Sequence, residues 1–455
     1  MDFGSTFTKA ALVDTASGEL LATGAHPTTI DTDVLDGWDA TKRGLDQNAG
    51  ISGGVDIPVL ACSSAGGGLR IAVVGNEELV SAEAGRRVAL SSGGRVVHVS
   101  SEAVNLGDLR TSAPDVVLLV GGTDGGNAEM LLANASALAA ARWSKPVVVA
   151  GNQDAADEIR ALFREKQIPH ALADNVVPQI GVLEPHSART AIRGMFITHV
   201  IGGKHLSKRA DFTAMVKGAT PDIVLTAVEL LANGLGAEEP GVGDVVVLDI
   251  GGATTDVHSV VAMDPEDSGL SREVVAATPV SRTVEGDLGM RWSAVSTVEA
   301  ALGDGLHVTP ALMSAAQARV DDPGMLPSTA AEKAADLALA AAAATLAVRR
   351  HSGRQRVVFS PDGRLVERTG KDLREVDLLV GSGGVLRHSS KAEALGVLGA
   401  ATGSSVEGGW LVPRDPRLVI DDDYVLAAVG LVAQEHPVAA HRLASRLWRG
   451  GPDAD

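Results

Sequence analysis

The chain has 455 residues, 45% hydrophobic but only 3% aromatic, so two or more cores filled mainly by Ala, Val and Leu are expected. A formal charge of −18 leaves no dense basic face, which excludes a sequence-independent grip on nucleic acid or anionic lipid; any phosphate site must be local. Cys62 is the only cysteine, excluding an internal disulfide and any thiolate cluster supplied by one chain.

Two strands, 7–13 and 20–25, are predicted around a turn at Ser17 and Gly18, making a hairpin. From 69 to 168 the apolar strands 70–74, 96–99, 116–120 and 147–150 alternate with helical stretches rich in Ala and Leu, the pattern of parallel strands covered by helices. A helical region, 185–233, leads to a loop rich in Gly, Glu and Pro at 234–243, where a domain boundary is placed. The organisation then restarts with strand 245–250, a turn, strand 255–261, an acidic loop at 264–267 and strand 273–278. Thr329 and Glu332 form a capping box opening a helix that closes at Arg349, Arg350 and Gly353, and residues 450–455 read as a frayed tail. The Ala-rich stretch 340–344 reads as tight helix packing. No basic segment followed by an apolar run opens the chain, and the longest charge-free helical stretch, 337–348, is about half of a membrane span; a cytoplasmic location is expected.

The restart repeats a motif. Asp2, Phe3, Gly4, Ser5 and Thr6 join two predicted strands by a glycine turn, and so do Asp249, Ile250, Gly251, Gly252, Ala253, Thr254 and Thr255. Such a turn exposes several backbone N–H groups at one point, and the missing Cβ lets phosphate oxygens approach. In the first turn, Ser5 and Thr6 add hydroxyls, Lys9 a charge for the β- and γ-phosphates, and Asp2 a carboxylate for magnesium. In the second, Gly251, Gly252, Ala253 and Thr254 form the phosphate turn, Asp249 orients magnesium-bound or attacking water, and Asp256 braces the turn. Either motif alone is as readily a tight hairpin with acidic ends. A third segment, strand 376–380 followed by Gly381, Ser382, Gly383, Gly384 and a helix from Val385, would let an adenosine lie flat against backbone.

In order, the three motifs resemble the first phosphate, second phosphate and adenosine motifs of the superfamily of actin, heat-shock chaperones and sugar kinases. That resemblance implies an α/β fold of two ribonuclease-H-like domains flanking a nucleotide cleft, with ATP or ADP and Mg bound there. The first domain would cover 1–240, with a parallel α/β insertion at about 88–165. The second would cover 241–455, with its C-terminal helix packing back on the first. Asp2 and Asp249 would be both catalytic and metal-binding. Four further segments, 62–69, 119–127, 283–291 and 423–431, are similar to the MutL-like proteins associated with glutamate mutase, and the match runs nearly end to end. Members accompany adenosylcobalamin-dependent mutases and aminomutases and are thought to act as ATP-dependent chaperones or reactivases. Mutase subunits are therefore the implied partners, with no nucleic acid and no membrane, and a homodimer is one expected arrangement.

Two alternatives stay open: a small-molecule kinase of the same fold, for which no separate base motif is identifiable, and an ATP-dependent polymerising structural protein. The related activator of hydroxyacyl dehydratases needs two cysteines per chain for its iron–sulfur cluster, which Cys62 alone cannot supply. No G-x-x-x-x-G-K-[ST] loop occurs. His258 lies in a D-x-H run whose cobalt-ligating form requires a glycine where Val261 stands. Residues 121–127 read either as a ligand site or as a βα turn in which Asn127 caps the next helix, and 88–163 is a candidate partner-recognition segment. Glu285 and Asp287 read as magnesium or ribose contacts, or equally as part of a solvated turn. Family members carry an apolar strand before the first aspartate, where here only Met1 stands, and Ala253 replaces a common third glycine. Restoring upstream residues is expected to raise the melting temperature and nucleotide affinity.

Overall fold

The computed structural model describes residues 1–50, 57–262, 278–360, 363–404 and 406–449. The acidic loop at 264–267, the tail 450–455 and nearly all of the strand expected at 273–278 lie outside the described residues. The chain divides into two compact units, the first comprising Met1–Asp14 and Leu20–Leu225 and the second the bulk of the chain from Thr226 onward.

The first unit opens with a five-stranded mixed sheet in the order Val216–Ala219, Ala61–Ser63, Asp2–Phe3, Phe7–Val13, Leu20–Pro27. The hairpin strands pair antiparallel, whereas Asp2–Phe3 runs parallel to Ala61–Ser63, which runs parallel to Val216–Ala219. Phe3 is fully buried and meets Phe212 edge-on at 5.1 Å, which anchors this two-residue central strand in the core.

A second sheet of the same unit is wholly parallel, in the order Gly94–Ser100, Leu69–Val74, Val116–Leu119, Val147–Val149, His170–Leu172. Its central strands are apolar apart from Arg70 near the start of one, because helices cover both faces, leaving no solvent side for polar residues to alternate onto.

The second unit repeats the first sheet's plan: Val280–Glu285, Thr255–Val260, Val245–Ile250, Leu378–Ser382, Arg417–Ile420. Three antiparallel strands are followed by two strands parallel to the first of them. Both sheets are thus ribonuclease-H-like, and the chain is an α/β protein built from two such halves with a parallel α/β insertion in the first. The helix Ala330–His351 carries the expected capping box, and Ala340, Ala343, Ala344 and Ala347 are all buried, small side chains permitting close approach to its neighbours.

Several elements differ from expectation. The helical region 185–233 is interrupted by strand Val216–Ala219, an edge strand formed by pairing with Ala61–Ser63. The third glycine motif lies deeper in its strand than expected, with Gly381 and Ser382 inside Leu378–Ser382 and only a four-residue helix, Gly384–Arg387, following. Glu285 ends a strand instead of lying in a loop. No described helix is long and apolar enough to cross a membrane.

Candidate functional site

In the second unit, strand Val245–Ile250 delivers Asp249 beside the turn Gly251 to Thr254. The amide of Gly251 donates to Thr254 O at 2.9 Å, and a Cβ on Gly251 would stand 2.8 Å from that same oxygen, so glycine is required. The turn's carbonyls are all occupied. Met290 N donates to Gly251 O at 3.0 Å, Arg291 N to Gly252 O at 2.8 Å, and Ser293 Oγ to Ala253 O at 2.6 Å. The amides of Gly252, Ala253 and Thr254 have no partner among the described residues. Pinned carbonyls and open amides make a concavity suited to an anion. The Trp292 ring packs on Gly252, where a Cβ would come within 2.8 Å of it.

The third motif adjoins this turn. Asp249 registers with Ser382, and Leu248 with Gly381, on the neighbouring parallel strand. Gly383 has φ +118°, and a Cβ there would sit 2.3 Å from Ile250 O, so backbone passes directly over backbone. Asp249, the turn, and Ser382 to Gly384 therefore share the carboxyl edge of one sheet, where open α/β folds bind ligands.

Asp256 braces the turn by accepting from Thr254 Oγ1 at 3.2 Å and from Arg282, whose Nη2 lies 2.5 Å from Oδ1. Thr254 thus spends its hydroxyl on its own turn. Arg350 Nη1 donates to Glu285 at 2.9 Å and to Asp287 at 2.7 Å. Its guanidinium holds the Asp287 carboxyl below the ordinary range, while burial pushes Glu285 up despite the same partner. This ion pair lies at a partly exposed turn, with Asp287 45% exposed. His258 is buried in the sheet between Val247 and Arg282, out of reach of an external cobalt.

The first turn has the same hydrogen-bond signature. Gly4 N donates to Phe7 O at 3.1 Å, and a Cβ on Gly4 would lie 2.6 Å from that oxygen. Ser5 and Thr6 are exposed, and their amides have no partner among the described residues. Asp2 registers with Lys9 on one side and Cys62 on the other, so carboxylate, ammonium and thiol lie in one row across the sheet. Asp2 Oδ1 accepts from Thr220 Oγ1 at 2.5 Å, and Cys62 Sγ lies 3.6 Å away. Burial, reinforced by the Asp2 charge, pushes the Cys62 thiol well up, so it stays protonated and inert.

A family model described as MutL protein matches residues 1–447. Protein MutL of Clostridium tetanomorphum is 36% identical over 451 residues, covering 97% of each chain.

The chain belongs to the MutL protein family.

Among solved structures, a ROK hexokinase from Thermus thermophilus aligns over 97% of this chain and 95% of its own at 12% identity and TM-score 0.24. A xylulose kinase from Bifidobacterium adolescentis does so over 98% and 92% at 11% identity and TM-score 0.29. At those scores neither carries weight, and the fold assignment rests on strand order. Within this MutL family chain, sequence reasoning missed Thr28, Thr220, Ser293 and Arg350. Each is distant along the chain from the residue it serves. Only Thr220, standing before Pro221 at a helix start, had a local signal.

The segment 121–127 makes a βα turn in which Asn127 Oδ1 accepts from Glu129 N at 2.7 Å, an Asx turn; the N-cap itself is Ala128, which has no side-chain cap, so the expected Asn127 cap stands one residue too early. Asn175 Nδ2 donates to Gly122 O and Asp124 Oδ1, both at 2.9 Å. Asp124, Gln153, Asp174, Asn175, Glu184 and His186 line a cavity of about 420 Å³ beside it.

Proposed function

We propose that this protein is an ATP-binding and ATP-hydrolysing chaperone or reactivase for an adenosylcobalamin-dependent mutase of the glutamate mutase or aminomutase type. The observation that carries the reading is the repeated turn: each ribonuclease-H-like sheet carries a glycine turn that leaves amides without a partner among the described residues, those of Ser5 and Thr6 in one and of Gly252, Ala253 and Thr254 in the other. A triphosphate supplies the oxygens such turns accept, and the glycines leave the room it needs.

Gly4, Ser5 and Thr6 would hold phosphate in the first unit, with Lys9 adding charge. Gly251, Gly252, Ala253 and Thr254 would do so in the second, and Gly381, Ser382, Gly383 and Gly384 would lie against adenosine. No group of three or more His, Cys, Asp or Glu side chains converges among the described residues. That fits magnesium, which takes one or two carboxylates and fills its remaining positions with phosphate oxygens and water. Asp2 in the first unit and Asp249 in the second would each offer such a carboxylate, and Asp249 would also orient the attacking water. Bound nucleotide adds the phosphoanhydride bond whose hydrolysis changes what the turns hold. It acts on a partner only through a difference in that partner's affinity for the two states.

Isothermal titration with MgATP and MgADP tests the site, and the absence of binding at millimolar nucleotide ends the reading. Co-purification of adenosylcobalamin mutase subunits, dependent on nucleotide, tests the partner. A phosphorylated small-molecule product would move the protein to the kinases.

A further inference from the structure

Both turns have their carbonyls tied from behind, and in each a single hydroxyl makes one of the ties. In the first unit Thr28 Oγ1 donates to Gly4 O at 2.8 Å while Thr28 N donates to Thr6 O at 2.9 Å. In the second unit Ser293 Oγ lies 2.6 Å from Ala253 O and 3.1 Å from Gly286 O, beside the amide ties from Met290 and Arg291. A peptide unit is planar, so holding its C=O on one side directs the N–H of the following residue to the other. Thr28 therefore orients the Ser5 amide, and Ser293 orients the Thr254 amide. Neither residue belongs to the three glycine motifs, and each is reached only through the fold.

We propose that Thr28 and Ser293 are equivalent positioning residues, each aiming an amide of the glycine turn in its own unit at nucleotide phosphate. The proposal rests on the nucleotide reading above and assigns it a division of labour. The hydroxyls govern recognition of phosphate and leave recognition of the nucleoside to the third glycine motif. A tie that served only to hold the sheet together would weaken all ligands alike.

The test compares ATP with adenosine, which lacks phosphate, on the full chain. Thr28→Val keeps the side-chain shape and the backbone tie but removes the hydroxyl; Ser293→Ala does the same for its turn. Each is expected to weaken MgATP binding about fivefold by titration calorimetry, the worth of one net hydrogen bond, with adenosine affinity held within about twofold. Thr28→Ser and Ser293→Thr are expected to restore ATP affinity. Trp292 is 52% exposed against the second turn, so its fluorescence should report ATP but not adenosine, with the signal lost in Trp292→Phe. Unchanged ATP affinity in both hydroxyl-deleted variants, or equal losses for ATP and adenosine, would overturn the positioning role while leaving the nucleotide reading intact. An unmodified protein that binds no ATP overturns both.

Discussion

The two ribonuclease-H-like sheets share a strand order but stiffen their glycine turns by different means. In the first unit the turn springs from a two-residue central strand, Asp2–Phe3, and is backed by one residue, Thr28, at the end of the neighbouring hairpin. In the second it springs from a strand paired through six residues on one side and five on the other. It is backed by residues 290 to 293, which are held in turn by buried charge. Arg291 Nη2 and Arg319 Nε reach Asp336 at 3.1 and 2.5 Å, and Arg319 also donates to Ala315 O and Glu332 O. A turn of given shape can thus be held by a single residue or by a network tied to two helices. The second arrangement couples the turn to more of its domain.

The largest effect that would sharpen this contrast is Asp336→Ala. It leaves Arg319, 2% exposed, without a counter-charge, and should cost the second unit about 3–5 kcal/mol in urea unfolding. A loss under about 1 kcal/mol would show that the network does not brace the turn. The first unit's nearest equivalent is Asp222→Ala, which removes a buried carboxylate that accepts from Arg193 at 2.5 and 3.0 Å, and should cost about 3 kcal/mol there. Next come Asp2→Asn and Asp249→Asn. Each should weaken ATP binding about tenfold with magnesium present, or about 1.4 kcal/mol, and much less in chelator; equal losses with and without the metal would break the assignment of either carboxylate.

A smaller, pH-dependent effect belongs to the second unit. His351 is buried, with Nε2 at 2.8 Å from Ser259 Oγ and Nδ1 at 3.0 Å from Thr283 Oγ1, and burial holds its pKa well below the ordinary histidine value. The unfolded chain then binds a proton that the folded one refuses, so stability is full above the unfolded pKa of about 6.5 and declines as pH falls below it. Thermal unfolding should shift down between pH 7 and 5, by at most about 1.4 kcal/mol per pH unit, and His351→Gln should flatten the slope. The smallest expected effect is Thr329→Ala, about 1 kcal/mol from loss of one half of the capping box.

Much of this was legible because it is local. Strands 7–13 and 245–250 appear with the bounds their apolar runs predict, since a short apolar run between turn residues has few other ways to bury itself. The capping box at Thr329 and Glu332 needs only three residues of separation and formed as expected. Ala61–Ser63 and Val216–Ala219 were illegible for the opposite reason: each is too short for a periodic signal, and each is a strand because its neighbour supplies the ladder. The fates of Glu285 and Asp287 were equally hidden, since the arginine that neutralises them stands 65 and 63 residues further on.

The sequence by itself determined the glycine turns, the acidic residues at their strand ends and the repetition of both, because missing Cβ atoms and strand-ending carboxylates act within a few residues. Only the tertiary structure decided which way those turns face. Peptide orientation depends on what holds the carbonyls, and Thr28, Met290, Arg291 and Ser293 reach them across 22 to 40 residues of chain, beyond the range of any local rule.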